Sequence, residues 1–324
     1  MKLCQFERKG GERAIGIAVD NGDRIADVRR IHETMSAADQ AGYQIPQELL
    51  QLIQDGAPAM AAARAIGDLV AASPKLLDDT NLVFPAESAY FRAPVSKPPK
   101  FFAVAINTRH NWERALKPPN PHPTYFIKLA TCIVGPTDTV HIPDVGYVGP
   151  EVELAVIIGK GGKRIAEKDA LDHVFGYTVH NDITAHEMRK MTEWIQVSRP
   201  DGTEERLTYP GRYKNYDTFS PMGPWLTTTD EVPSPNKLTL RAWLNDDLVQ
   251  EGTTADHVYG VEHLVSYLSE AHTLEAGDII STGTVPPKPP WTHPKIDLGR
   301  IGGVLTTRID GLGEMHNPIQ FDAD

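Results

Sequence analysis

The sequence predicts an α+β protein in two parts: a small N-terminal β-plus-helix domain over residues 1–92 and a larger, strand-dominated domain over residues 93–324. Three observations carry this. Residues 1–30 alternate apolar and polar, with turn signals at Gly10-Gly11 and Asn21-Gly22, and Asn-Gly between strand-like runs marks a hairpin. Residues 92–100 (RAPVSKPPK) hold three prolines, which suits a stiff linker and sets the boundary near residue 93. Beyond it, residues 151–158, 173–180, 238–245, 278–281 and 304–309 are short runs rich in Val, Ile, Leu and Thr, bounded by Gly, Pro, Asn or Asp, the pattern of strands.

Helices are few. Pro46, followed by acid and a leucine pair, opens one, and residues 60–72 form an Ala-rich second. In the larger part, residues 184–194 read as a helix. Residues 257–269 read as another, with Val258, Val261, Leu264, Val265 and Leu268 at helical spacing. Residues 197–212 are polar and Pro/Gly-rich and read as an exposed loop.

Bulk properties exclude several function classes. With 40% hydrophobic and 23% charged residues, the chain can bury a sizeable core. Its net charge of −11 and the lack of a Lys/Arg run argue against nucleic acid as a partner. Cys4 and Cys132 form no Cys motif, so neither a disulfide framework nor a Cys-based zinc site is expected, and a reducing cytoplasm fits. The N-terminus lacks the apolar core of a signal peptide, and no stretch reaches the roughly 20 apolar residues of a membrane span.

The chemistry concentrates in carboxylates. Residues 151–158 (EVELAVII) are an apolar strand that starts with two acids. Strand alternation puts Glu151 and Glu153 on one face, where like charges repel unless a cation lies between them. A second strand, residues 175–182 (FGYTVHND), ends in Asp182. Three carboxylates make a hard oxygen site suited to Mg2+ or Mn2+, or Ca2+, with positions left for water and substrate. From spacing alone, two surface glutamates on an edge strand is the simpler account.

From residue 93 to 314 the chain resembles the fumarylacetoacetate hydrolase family. The resemblance is carried by residues 98–107 (PPKFFAVAIN), 126–128 (FIK), 151–160 (EVELAVIIGK), 175–185 (FGYTVHNDITA), 214–225 (KNYDTFSPMGPW) and 274–284 (LEAGDIISTGT), in the family's order. It implies a mixed β-roll or sandwich catalytic domain with flanking helices, and usually a homodimer. It matches Glu151, Glu153 and Asp182 to the family's metal carboxylates and Lys214 to its active-site lysine. His110 and Glu113 match the H-x-x-E pair that activates water in hydrolytic members; three-residue spacing puts both on one helix face. One residue is deleted before His110 relative to the common pattern. Thr284 matches a residue that contacts the substrate carboxylate, Gln250 a pocket glutamine and Lys128 a position beside the site.

The implied substrate is a small oxo acid, a 2,4-dioxo acid such as an acylpyruvate. Its 2-oxo acid end would chelate the cation while a C–C bond is hydrolysed through an enolate. The same site could instead decarboxylate or isomerise a 2-oxo acid. Two rivals come from other classes: a non-haem iron oxygenase built on His180, Asp182 and a distant histidine such as His257, and a non-enzymatic Ca2+-binding module. Three departures border the pocket. His186 stands where the family has arginine, residues 285–291 replace a Gly-rich loop, and the stretch between Asp182 and Lys214 is about ten residues longer than in short members. They point to a substrate other than a minimal acylpyruvate, such as a product of aromatic degradation.

Overall fold

The architecture is given by a computed structural model, which describes residues 1–8, 11–36, 40, 42–114 and 121–322; Gly10 of the expected Gly10-Gly11 turn lies outside them. The larger sheet runs, from one edge, through Val83–Pro85, Arg24–Asp27, Arg13–Val19, Lys2–Glu7, Ser220–Thr228, Val174–Asn181, Val152–Ile158, Ile279–Ser281, Phe101–Ala105 and Thr124–Ile127. It is mixed: Ile279–Ser281 runs parallel to Phe101–Ala105, whereas Val152–Ile158 and Val174–Asn181 are antiparallel. A second sheet is ordered Asp247–Thr253, Thr239–Leu244, Gly303–Ile309, Gly313–Asp322, Val140–Pro143.

Strand Val152–Ile158 is buried along its whole length. It lacks a polar face because both of its faces are covered, the reason such strands read as unbroken apolar runs. Val152, Leu154, Val156 and Ile158 face a core shared with Leu240, Leu305 and Met315 of the second sheet and with Leu264 and Leu268 of helix Val261–Ala271. Ala155 and Ile157 face the other way, onto a cluster holding Leu3, Ile15, Leu52 and Ile66 from the N-terminal part. Glu153 belongs by alternation to this second face. Apolar where the N-terminal helices cover it, that face turns acidic at the start of the strand.

The main sheet continues across the linker. Lys2–Glu7 pairs antiparallel with Ser220–Thr228, with Leu3 opposite Leu226, and both leucines are fully buried. Each such burial is worth about 1.5–3 kcal/mol. The expected boundary falls between strands Tyr90–Arg92 and Phe101–Ala105, which lie in this one sheet.

Several elements differ from expectation. The helix expected over 184–194 is only His186–Met191, because Thr184–Ala185 pairs with Val148–Gly149. The expected loop over 197–212 contains half of an exposed hairpin, Trp194–Ser198 against Glu204–Thr208. Its turn is closed by Asp201 Oδ1, which accepts from the Thr203 N–H at 2.9 Å, and by Gly202 at φ +83°. Both of its faces are largely exposed, so no apolar alternation marked it as strand. The helix expected from 257 starts at Val261, since Thr254–Asp256 is a 3-10 turn and His257 bridges to Thr108. The helix expected from Pro46 starts at Leu49, whose N–H donates to Gln5 Oε1 at 2.6 Å. Among the described residues, no helix is long and apolar enough to cross a membrane.

Candidate metal centre

Register brings the three carboxylates together. Glu153 lies opposite His180 across the antiparallel pair, and Val152 opposite Asn181. Asp182, two residues beyond His180, therefore emerges beside Glu151 and Glu153. The Asp182 N–H donates to the Glu151 carbonyl at 2.8 Å, and the Glu151 N–H donates to Asn181 Oδ1 at 2.9 Å. One oxygen from each of the three carboxylates lies within 4.8 Å of the others, and all three residues are buried. Ligand oxygens on Mg2+ at about 2.1 Å lie roughly 3–4 Å apart, so small side-chain closures let this all-oxygen set fit a hard divalent cation.

Two buried lysines balance the charge. Lys214 Nζ donates to Glu151 Oε2 at 2.6 Å and to Asp182 Oδ2. Lys128 Nζ donates to Asp182 Oδ1, to the Lys214 carbonyl at 2.7 Å and to the Phe219 carbonyl at 3.3 Å. Burial raises Asp182, but the two ammonium groups outweigh it and hold the carboxyl at about 2. Burial lowers Lys214, but the surrounding carboxylates outweigh it and keep the ammonium charged.

Glu153 goes the opposite way. Burial, then repulsion from Asp182 and Glu151, pushes it up to about 8, against the pull of Lys214 and the Ser281 hydroxyl. Ser281 Oγ donates to Glu153 Oε2 at 2.6 Å, and the Gly283 N–H donates to the same oxygen at 2.9 Å. Ser281 in turn accepts from His180 Nδ1 at 2.7 Å. Burial holds His180 down at about 3, so its imidazole is neutral.

A pH dependence follows. Between the ordinary carboxylate range and about pH 8 the folded protein keeps a proton on Glu153 that the unfolded chain releases. The stability this group contributes is full below the unfolded value and is lost as pH rises through the folded one. A cation must displace the same proton, so its apparent affinity rises by as much as about tenfold per pH unit below that point. Isothermal titration with Mn2+ on either side of it measures this; a flat profile would show that Glu153 is already ionised.

The remaining residues singled out from sequence are distributed as follows. Gln250 is fully buried with both amide ends engaged: Oε1 accepts from the Val152 N–H at 3.2 Å, and Nε2 donates to Thr284 Oγ1 at 3.2 Å and the Val285 carbonyl at 2.9 Å. It ties the acidic strand to the Ser-Thr-Gly-Thr284 loop. Lys128 is directed at Asp182 in the same structural sense. His110 and Glu113 lie on the short helix Arg109–Arg114, both exposed, and no hydrogen bond joins them among the described residues. The two side chains that the resemblance pairs are thus not hydrogen-bonded to each other in this structure. Nor do imidazoles join the ligand group: among the described residues it consists of carboxylates, and His180 Nδ1 is turned to Ser281. The two-histidine iron site is not assembled.

Sequence reasoning missed Asn107, Ser281 and His293. Asn107 is buried and donates to the Tyr259 and Thr282 carbonyls at 3.0 and 2.7 Å, while accepting from the Tyr259 N–H at 2.9 Å. It anchors the root of the His110 helix to the Ser-Thr-Gly loop. A Cβ on Gly283 (φ +103°) would come within 2.8 Å of the Asn107 Cβ, which requires glycine there. Ser281 and Gly283 sit inside the quoted family segment, and that was the available signal.

A mixed-sheet fold that buries three converging carboxylates against two lysines defines the class: a metal-dependent enzyme. The chain belongs to the fumarylacetoacetate hydrolase family; the family model described as fumarylacetoacetate (FAA) hydrolase C-terminal matches residues 100–320. The chain is 32% identical over 322 residues to the mitochondrial oxaloacetate tautomerase fahd2 of Xenopus laevis, covering 98% of this chain and 90% of the relative. It is 31% identical over 319 residues to the oxaloacetate tautomerase YisK of Bacillus subtilis (strain 168), covering 94% and 95%. Among solved structures it is similar to maleylpyruvate hydrolase from Sphingobium sp. SYK-6 in complex with manganese(II) and pyruvate, with TM-score 0.69, 28% identity and full coverage of both chains.

Proposed function

We propose that this protein is a divalent-cation-dependent tautomerase that interconverts the keto and enol forms of a small 2-oxo acid, with oxaloacetate as the first substrate to test. The observation that carries the choice of reaction is the full-length similarity to oxaloacetate tautomerases from an animal and a bacterium. The cation held by Glu151, Glu153 and Asp182 would supply Lewis acidity to the 2-oxo acid head. Lys214, with its ammonium between Glu151 and Asp182, would set positive charge near the C2 oxygen that gains negative charge on enolisation. Lys128 and the His180–Ser281 pair hold Asp182 and Glu153 in place. Tautomerisation needs a group that moves a proton at C3 and no water to attack a carbonyl.

His110, on its exposed helix, is our candidate for the C3 proton. His110→Gln is expected to lower the tautomerisation rate by about 10²- to 10⁴-fold, the usual worth of one acid–base group, with Mn2+ affinity unchanged. A variant that keeps full rate removes His110 from the proposal.

The test of the whole reading is direct. Oxaloacetate is supplied as enol to the Mg2+- or Mn2+-loaded protein, and enol absorbance is followed together with keto product and pyruvate. Loss of enol with keto formation and no pyruvate supports a tautomerase. Release of pyruvate and CO2 identifies a decarboxylase, and no change over the uncatalysed rate rejects the reading.

A second reading is the hydrolysis of a C–C bond in a 2,4-dioxo acid. It is favoured by the similarity to a maleylpyruvate hydrolase solved with pyruvate. Cleavage of acylpyruvates into pyruvate and an acid, in the same preparation, would establish it.

A further inference from the structure

One of the three sequence departures, His186, meets a residue just beyond another. His186 starts the short helix after strand Thr184–Ala185, and His293 follows the proline-rich residues 285–291. Their ring centroids are 4.5 Å apart, at 45° between planes. His186 is only 7% exposed. Its Nε2, and Nδ1 of His293, are buried with no hydrogen-bond partner among the described residues. The nearest acid to His186 is the candidate metal ligand Glu151, whose Oε1 lies 3.7 Å from Nε2, too far for a hydrogen bond.

The site is built rather than incidental. Tyr147 stacks on His186 with centroids 5.8 Å apart and planes within 17°, which sets the ring's orientation. The Tyr147 N–H is itself held by Glu187 Oε2 at 3.1 Å. Gly149 makes room: a Cβ there would come within 3.1 Å of His186 Cδ2 and 3.2 Å of Nε2. Burial keeps both imidazoles neutral; Lys214 and Arg189 act on both rings in the same sense, against Glu151 at His293 and Asp182 at His186. An unpartnered buried polar atom costs about 1–3 kcal/mol, so two of them on adjacent rings, one 3.7 Å from Glu151, are open to a ligand that supplies oxygens.

We infer that His186 and His293 form a subsite for the distal carboxylate of a dicarboxylic 2-oxo acid, selecting dicarboxylates over monocarboxylates at the same cation centre. The inference rests on reading that centre as a 2-oxo acid site. An imidazole carries at least one N–H donor in either charge state, so two rings can grip two carboxylate oxygens. In a four-carbon diacid the distal carboxylate lies a few ångströms from the carbonyl, and His186 lies 3.7 Å from Glu151 at the rim of the carboxylate group. A second cation is the lesser fit, because the ligand atoms that converge, among the described residues, are those of Glu151, Glu153 and Asp182 alone.

The test is equilibrium binding to the Mn2+-loaded full chain, with two probes that do not react. One is the difluorinated, non-enolisable analogue of oxaloacetate, which has a distal carboxylate. The other is oxalate, which chelates and has none. His293→Phe keeps a ring and removes its nitrogens at a half-buried position; His293→Gln restores a donor. His293→Phe is expected to weaken the diacid analogue about tenfold or more, the worth of one hydrogen bond to a charged group. Oxalate binding should stay unchanged, and His293→Gln should recover part of the loss, with thermal melts confirming the fold. Equal weakening of both probes, or of neither, overturns the subsite, as does failure of the native chain to bind the analogue. If the probes discriminate as expected but oxaloacetate is not tautomerised, the subsite stands and the proposed reaction falls. If oxaloacetate is tautomerised but His293→Phe leaves the analogue's affinity intact, the subsite falls and the reaction stands.

Discussion

Lys128→Met is expected to cost about 3–5 kcal/mol of folding stability, the usual loss when one partner of a buried ion pair is removed. Lys128 is fully buried, and its ammonium is spent on Asp182 and on the Lys214 and Phe219 carbonyls. Methionine fills the space but leaves Asp182, among the described residues, with Lys214 as its only ammonium and the Lys214 carbonyl without a donor, while the Phe219 carbonyl keeps the Ile183 N–H at 3.1 Å. Denaturant unfolding of the apo protein measures the change. The acid side sharpens the test. Asp182, held at about 2, contributes stability that is full above the unfolded carboxylate value and is lost as pH falls towards the folded one. In Lys128→Met that carboxyl moves up and the loss begins at higher pH. A second substitution, Asp182→Asn, should then add less than it costs alone, because the pair is already broken. Strict additivity would show that Lys128 and Asp182 are not coupled.

Asp182→Asn has the largest expected effect on function. It preserves shape but removes one carboxylate of the proposed cation site, the one that both lysines address. Removing a hydrogen-bond partner of a ligand typically costs 10–100-fold in metal affinity, so loss of a ligand is expected to exceed about a hundredfold. Mn2+ titration reads this directly, and the proposed tautomerisation should fall in step at limiting cation. Excess Mn2+ should recover activity only in part, since the charge that holds Lys214 in position is also gone. Native-like Mn2+ affinity in this variant would remove Asp182 from the ligand set and, with it, the geometric basis of the centre.

Much of the centre was readable beforehand because β-structure has a period of two. Glu151 and Glu153 share a face for that reason alone, and Asp182 could be placed at the end of its own strand. The family segments then tied them together. The differences lie where local pattern carries no signal. The hairpin of Trp194–Ser198 and Glu204–Thr208 has no buried face and so no alternation to read. The His110–Glu113 spacing put both on one side of a helix, yet spacing does not decide whether a solvated pair joins hands. Gln250 and Lys128 were legible as residues near the site, but their partners are backbone groups and a carboxylate brought by other strands.

The sequence by itself determined the α+β character, the acidic end of strand Val152–Ile158, and the family, because these depend on residue type and local order. The tertiary structure alone decided that Lys128 answers Asp182 across 54 residues, that Ser281 reaches Glu153 across 128, and that His293 meets His186 beside Glu151. It also decided that the first strand completes the catalytic sheet through Leu3 and Leu226. The physical reason is common to all four. A buried charge, a buried ring or a sheet edge meets whichever group the fold delivers to it, and chain distance has no bearing on that choice.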